Sequence, residues 1–275
     1  MPSRWHPLLV PARPAEPEPV TDPAVRRGLV VELVIVFTVT LGLSGLRSLL
    51  SLLDSLLRPE PLSQQSVALN VPRAAANLVD LAFQLAGVAQ LVAWGALGAY
   101  LLWAGTLGLA RLGPGRIGLD RRQPGRDAMA GAGLFAVVGV PGLGLYLLAR
   151  ALDLNLTVLP STLTDTWWRL PMLVLSAAGN AWAEEVLVVG YLLTRLRQLG
   201  WTENAGLLAS AALRGSYHLY QGFGGGLGNM VMGLLFGRFW QRTTRLVPLI
   251  VAHTLLDTVA FIGYALLHGH VGWLR

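Results

Sequence analysis

The sequence predicts an all-α fold, a polytopic transmembrane helical bundle of about seven spans. Two observations indicate this class directly. The 275 residues are 53 % hydrophobic and only 13 % charged, far more apolar than a soluble domain of this length. Several near-continuous apolar runs reach the ~20 residues that a helix needs to cross the hydrocarbon core of a bilayer. A third observation, the uneven distribution of arginine between these runs, indicates how they are threaded.

The composition also excludes several kinds of site and partner. The chain has no cysteine, so it can form no disulfide, thiolate nucleophile or cysteine-ligated metal site. Its net charge of +6 comes from 21 arginines and no lysine. In a membrane protein this charge reports topology, so we expect the lipid bilayer as a partner and no nucleic acid. The bias toward arginine, alanine, glycine and leucine is typical of a bacterial gene rich in GC.

The domain organisation is simple. Residues 1–27 are rich in proline and arginine and lack an apolar core, so we expect a disordered cytosolic tail and no signal peptide. Residues 28–275 then form a single transmembrane helical domain. Its first span is expected over 28–46, and the apolar spacing of 47–58 extends that span or lies at the interface. The second span is expected over 78–110.

The arginines fix the expected topology. The segment 111–126 carries five of them, the strongest sign of a cytoplasmic loop in the chain. The third span follows at 128–148, with a kink at Pro141, and 150–169 forms an outer loop. The remaining spans are expected at 170–193, at 205–221, in a short stretch that ends at Arg238, and at 246–267. This threading describes a multi-pass protein of the inner (plasma) membrane with a cytoplasmic N-terminus.

Ionisable residues within the apolar runs concentrate in the last four spans. Glu184 and Glu185 are adjacent within one span, where each carboxylate costs roughly 2.5–3.5 kcal/mol on insertion scales. The later spans also contain Arg214, His218, His253 and Asp257. The first three spans offer only Glu32 and Asp80 near their ends. We therefore expect the last four spans to form the site and the first three to support it.

The spacing of these residues indicates shared helix faces. His253 and Asp257 are four residues apart, as are Arg214 and His218, so each pair lies on one face of a helix. Each group also has a structural explanation, because a lone histidine can link helices and a His–Asp pair can satisfy itself. A static bundle has no need of so many costly groups on three helices, so together they predict a functional site.

These residues resemble the CPBP family of intramembrane endopeptidases, which includes the CAAX prenyl proteases. That family carries Glu-Glu-xxx-Arg, Phe-xxx-His and His-xxx-Asn/Asp motifs on successive membrane helices. The corresponding segments here are 184–189, 214–218 and 253–257, and the resemblance extends over a core of about 170–267. Two positions depart from the pattern, since Val189 replaces the motif arginine and Arg214 replaces the motif phenylalanine.

The resemblance implies hydrolysis of a peptide bond in a membrane-associated protein or peptide, by a glutamate-type protease or a metalloprotease. Glu184 would activate a water that His218 helps to hold, while His253 and Asp257 would stabilise the oxyanion. The implied catalytic residues are Glu184, Glu185, His218, His253 and Asp257, with Arg214 in support. We expect no cofactor. The alternative is a zinc ion bound by Glu184, His218, His253 and Asp257.

Two other functions are compatible with the same residues. Glutamate, histidine and aspartate within a bundle also suit an ion- or proton-coupled transporter, although the chain has no internal repeat. A catalytically altered member of the family could act as a binding or immunity protein, because the motif arginine is missing.

The two departures predict a specific contact. In the family pattern the arginine follows the second glutamate by four residues and can pair with it along one helix face. Val189 leaves Glu185 without that partner. Arg214, on the next span, could reach across and replace the missing charge. The alternative is that Arg214 faces a water-filled cavity or extends its guanidinium to the interface.

Overall fold

The structure is a computed structural model that describes Pro14 and residues 17–267, and it confirms the all-α class. Its helices, in chain order, are α1 (Pro23–Val39), α2 (Leu41–Leu56), α3 (Asn77–Ala104), α4 (Pro124–Ala151), α5 (Arg169–Glu184), a π-helix (Glu185–Tyr191), α6 (Leu192–Gln198), α7 (Glu203–Ser216), α8 (Phe223–Thr243) and α9 (Val247–Leu267).

The first two helices form a bent pair and not the expected single span over 28–46. The carboxylate of Asp22 caps α1, so the helix begins at Pro23, within the expected tail. The chain turns by 52° between α1 and α2. Thr40 lies at the break, with φ −124° and ψ −118°. Residues 1–13, 15 and 16 of the expected tail lie outside the described residues.

Two short strands lie between the helices, and one of them falls within the expected outer loop at 150–169. Strand β1 (Ser66–Asn70) pairs in parallel with β2 (Thr157–Ser161), and Ser66 lies opposite Thr157. Neither strand alternates buried and exposed side chains along its length. Without a period of two in the sequence, the pairing leaves no hydropathy signal.

Helices α3 and α4 lie at the lipid-facing side of the bundle. Within the most apolar 18-residue stretch of each helix, only 17 % of α3 and 6 % of α4 is buried. The corresponding share for the continuous helical run Arg169–Gln198 is 67 %. That run, composed of α5, the π-helix and α6, is therefore the central element. Helix α3 ends at Ala104, earlier than the expected position 110, and the residue that follows, Gly105, has a positive φ of 65°. Helix α4 runs without interruption through Pro141.

Helices α7 and α8 form a closely packed hairpin beside the central run. Close approach requires small residues, and a Cβ atom added at Gly233 would lie 3.0 Å from the Cα of Ala211. The turn between the helices ends at Gly222, whose φ of +112° favours glycine. The hairpin holds the second motif segment, residues 214–218, against the central run.

The described residues contain four helical runs that are long and apolar enough to cross a membrane. They are α3, α4, Arg169–Gln198 and α9, and the bent pair of α1 and α2 makes a fifth if it counts as one span. The chain is thus a multi-pass membrane protein. With 14 residues, α7 is about 21 Å long and shorter than the ~30 Å hydrocarbon core. The count of seven spans stays a prediction.

Candidate active site

Glu184 and Glu185 lie where the central helix changes its winding. Glu184 is the last residue of α5, and Glu185 is the first residue of the π-helix. Segments of π-helix are rare and occur frequently at functional sites. The two carboxylates are consecutive and both lie near Arg214, but Tyr217 donates a hydrogen bond to Glu184 and His253 donates one to Glu185.

Arg214 on α7 contacts both glutamates. Its Nη2 donates to Glu185 Oε1 at 2.7 Å, and neither side chain is exposed. Its Nη1 lies 3.5 Å from Glu184 Oε2, and the guanidinium carbon lies 5.8 Å from the centroid of the Phe236 ring. The predicted contact between Arg214 and Glu185 is therefore present. The alternative in which Arg214 reaches water is wrong.

Glu185 also binds the histidine of the third motif. His253 Nδ1 lies 2.7 Å from the same oxygen, Glu185 Oε1. Because that carboxylate accepts hydrogen bonds, Nδ1 carries the proton in this contact. The other nitrogen, Nε2, lies 3.8 Å from Asp257 Oδ2. Glu185 is thus shared by a guanidinium and an imidazole, and both hold it in place.

Asp257 marks the open side of the cluster. Asn180 Nδ2 lies 3.5 Å from Asp257 Oδ2, at the limit of a hydrogen bond. The side chain of Asp257 is 24 % exposed and that of Glu184 is 12 % exposed, whereas Glu185 is fully buried. A water molecule or a substrate can therefore reach Glu184 and Asp257 but not Glu185.

Tyr217 is a residue of the site that the sequence did not predict. Its hydroxyl donates to Glu184 Oε2 at 2.8 Å, and the side chain is buried. The position precedes His218 within the second motif, but a tyrosine in an apolar run is more often a core or interfacial residue. The only signal in the sequence was that Tyr217 is next to His218, and this does not predict a hydrogen bond to Glu184.

His218 is oriented by the backbone. Its Nδ1 lies 3.0 Å from the carbonyl oxygen of Arg214. A carbonyl only accepts, so Nδ1 is the donor and Nε2 is left to act as an acceptor in the neutral ring. The His218 ring lies 4.7 Å from the ring of Tyr217. Glu184 interacts electrostatically with His218 and with His253, so the structure brings together all the predicted site residues.

The zinc alternative stays a prediction. Among the residues that the structure describes, no group of three or more histidine, aspartate or glutamate side chains is arranged to hold a metal ion. Two cluster oxygens, Glu184 Oε2 and Glu185 Oε1, already accept hydrogen bonds. The Arg214 guanidinium lies 3.5 Å from Glu184 and would repel a second cation there.

The ionisable residues of the early helices lie in structural contacts. Glu32 on α1 accepts from Arg195 Nε and from the Tyr191 hydroxyl, both at 2.8 Å. Asp80 on α3 accepts from the backbone N–H of Arg73 at 2.7 Å. These contacts tie α1 to the central run and fix the start of α3, as expected for helices that support the site.

Comparison with known proteins is consistent with the cluster. Residues 166–259 match the family model of the Rce1-like type II CAAX prenyl endopeptidases. The match covers about a third of the chain and contains all six residues of the predicted site. Searches of curated proteins and of solved structures give no significant match. The segment 166–259, which contains the buried cluster, is therefore similar to the Rce1-like type II CAAX prenyl endopeptidases.

Proposed function

We propose that the protein is an intramembrane endopeptidase that cleaves a membrane-associated protein or peptide, with Glu184 as the general base. One observation carries the proposal. Glu184 is held at a single oxygen, Oε2, by Tyr217, while 12 % of its side chain remains exposed. Its second oxygen, Oε1, is then the one available to a water molecule, and the imidazoles of two further motif residues are within electrostatic range.

The proposed reaction uses this oxygen as base and then as acid. Glu184 Oε1 takes a proton from a water that also donates to His218 Nε2, and the resulting hydroxide attacks the peptide carbonyl carbon. The carbonyl oxygen becomes an oxyanion, which accepts a hydrogen bond from Nε2 of the protonated His253 ring. When the C–N bond breaks, Glu184 returns its proton to the leaving amine, and a carboxylic acid and an amine are released.

In this proposal Glu185 is a positioning residue and not a catalytic one. It is fully buried, and its Oε1 is shared by Arg214 and His253. A carboxylate that fixes Nδ1 of an imidazole also fixes the direction of Nε2, and it stabilises the protonated ring. Asp257, 3.8 Å from Nε2, favours the same protonated form.

We further propose that catalysis needs no metal and that the protein lies in the bacterial inner membrane with its N-terminus in the cytoplasm. The loop of residues 111–126, with its five arginines, supports this orientation. The substrate would be a membrane-associated chain whose cleavage site reaches the depth of Glu184. The Rce1-like match favours a C-terminal CAAX-type sequence, with or without a prenyl group.

The test is peptide cleavage by the purified protein in liposomes. The probes are a quenched fluorescent peptide that ends in a farnesylated CAAX sequence, its unfarnesylated counterpart, and a set of lipid-anchored peptides analysed by mass spectrometry. Glu184→Gln should lower kcat/KM by about 10²–10⁴, the usual contribution of a general base. Glu60→Gln, the same change at an exposed loop residue, should not.

Three outcomes would contradict the proposal. Unchanged cleavage by Glu184→Gln would exclude Glu184 as the base. Ion or proton flux through the same liposomes, without hydrolysis, would favour the transporter. Tight peptide binding without cleavage by the wild-type protein would favour a catalytically altered family member.

A further inference from the structure

We propose that Tyr217 is a positioning residue for Glu184. Its hydroxyl holds Oε2 of the Glu184 carboxylate, and this leaves Oε1 as the oxygen that takes the proton. The inference rests on the proposed function of Glu184 and extends it to Tyr217, which lies within the second motif segment but is not one of the residues that define the motif. Its basis is one direct contact, the 2.8 Å hydrogen bond from the Tyr217 hydroxyl to Glu184 Oε2.

The position of Tyr217 in the fold makes this contact rigid. It follows the last residue of α7 directly, at the point where the chain leaves the helix. Its side chain is only 6 % exposed, so the ring is held by packing on all sides. The ring lies 4.7 Å from that of His218. One side chain therefore touches both the proposed base and the residue proposed to hold the water.

Arg214 cannot replace this hydrogen bond. Its Nη1 lies 3.5 Å from the same oxygen, beyond the 2.7–3.2 Å usual for an N–H donor. The guanidinium instead makes its short contact with Glu185, at 2.7 Å. The two neighbours thus have separate tasks at Glu184. Arg214 supplies charge, and Tyr217 supplies a directional donor.

A neutral donor suits a base at this depth. A buried carboxylate needs hydrogen bonds to remain in place, and an unpaired one is costly. A second cation at hydrogen-bond distance would favour the ionised form so strongly that it would weaken the base. A phenol stabilises the carboxylate less, and it orients the group. Without the hydroxyl, the carboxylate is free to rotate and present either oxygen to the water.

The chain offers a matched control for the loss of such a bond. Tyr191 also donates a 2.8 Å hydrogen bond from its hydroxyl to a glutamate, Glu32, and its side chain is fully buried. Tyr191→Phe therefore removes the same kind of buried bond, away from Glu184. If Tyr217 had a structural role alone, Tyr217→Phe and Tyr191→Phe would have similar effects on stability and neither would change kcat.

The experiment measures kcat, KM and thermal unfolding of both variants with the peptide that the wild-type protein cleaves. Tyr217→Phe should lower kcat about 10- to 100-fold with KM changed less than about twofold, because a small misplacement of a catalytic group can cost about 10²-fold. Tyr191→Phe should keep kcat. The double variant Glu184→Gln/Tyr217→Phe should be no slower than Glu184→Gln, since both changes act through one group.

A spectroscopic readout tests the contact without turnover. The infrared carboxylate band of Glu184, found as the difference between wild type and Glu184→Gln, should shift in Tyr217→Phe and not in Tyr191→Phe. An unshifted band, a wild-type kcat in Tyr217→Phe, or an effect on KM alone would overturn the inference about Tyr217. Retained turnover in Glu184→Gln would instead overturn the proposed function.

Discussion

Arg214 donates a hydrogen bond to Glu185 from the neighbouring helix, at 2.7 Å and with neither side chain exposed. In the family pattern the cation follows the second glutamate by four residues on the same helix. Here that position is Val189, in the π-helix, and the charge comes from α7. Because the pair is buried, loss of one partner leaves an uncompensated charge inside the bundle.

The first prediction concerns this exchange of positions. Arg214→Phe should destabilise the protein by about 3–5 kcal/mol, as expected when one partner of a buried ion pair is removed, and it should impair turnover. Val189→Arg returns a cation to the helix that carries Glu185, so Arg214→Phe/Val189→Arg should recover much of both. Thermal unfolding in detergent and peptide cleavage measure the two effects. The control is Val189→Arg alone, which adds a second cation and should be less stable than the wild type.

Two results would separate the positions. If Arg214→Phe is as stable and as active as the wild type, Glu185 does not depend on Arg214. If the second substitution worsens the first, Val189 and Arg214 are not exchangeable sites for one charge.

The second prediction concerns the contact that ties α1 to the central run. Arg195 is almost fully buried and donates to Glu32 at 2.8 Å. Glu32→Ala should therefore cost about 3–5 kcal/mol in the free energy of unfolding. The matched control is Asp54→Ala, which breaks the exposed ion pair between Asp54 and Arg58 and should cost less than about 1 kcal/mol. Equal losses in the two variants would show that burial does not govern the strength of these pairs.

The third prediction concerns metal dependence. The cluster places the Arg214 cation 3.5 Å from Glu184, so we expect peptide cleavage to survive exhaustive chelation. Elemental analysis of the purified protein should find far less than one equivalent of zinc, and His253→Ala should not change that content. Activity that is lost on chelation and restored by zinc alone would contradict the metal-free proposal. A stoichiometric metal that is lost in His253→Ala would also contradict the metal-free proposal.

The fourth prediction concerns pH and the arginine-rich loop of residues 111–126. The hydrogen bond from the Arg245 side chain, with a second one from the Arg122 backbone, lowers the pKa of Asp120 below its ordinary value of 3.8. The pKa of Asp120 is then lower in the folded state than in the unfolded chain. The ionised carboxylate therefore stabilises the fold at pH values above the ordinary pKa. That stability is lost as the pH falls through the lowered value.

Thermal unfolding of the wild type and Asp120→Asn in detergent, from pH 7 to pH 3, checks this sign. The wild type should be more stable at pH 7, and the difference should shrink below about pH 4. A difference that stays constant over the whole range would mean that the Asp120 charge does not contribute.

Local patterns were enough to predict the membrane class, most helices and the residues of the cluster. Apolar runs, i,i+4 spacing and the cost of a charge in the bilayer act within one helix or against one solvent, so they can be read without knowing the fold. The contact between Arg214 and Glu185 belongs to the same group. Its prediction rested on the resemblance to the family pattern, from which Val189 and Arg214 depart, and on the rule that a buried charge needs a partner.

Tertiary structure alone decided the features that depend on distant parts of the chain. The break at Thr40 and the π-helix at Glu185 depend on how each helix packs. The pairing of β1 with β2 joins residues about ninety positions apart, with no periodic signal in either strand. The sharing of Glu185 by Arg214 and His253 depends on three helices at once. So does the choice of Glu184, and not Glu185, as the exposed carboxylate, because consecutive residues differ in burial only after the helices around them are in place.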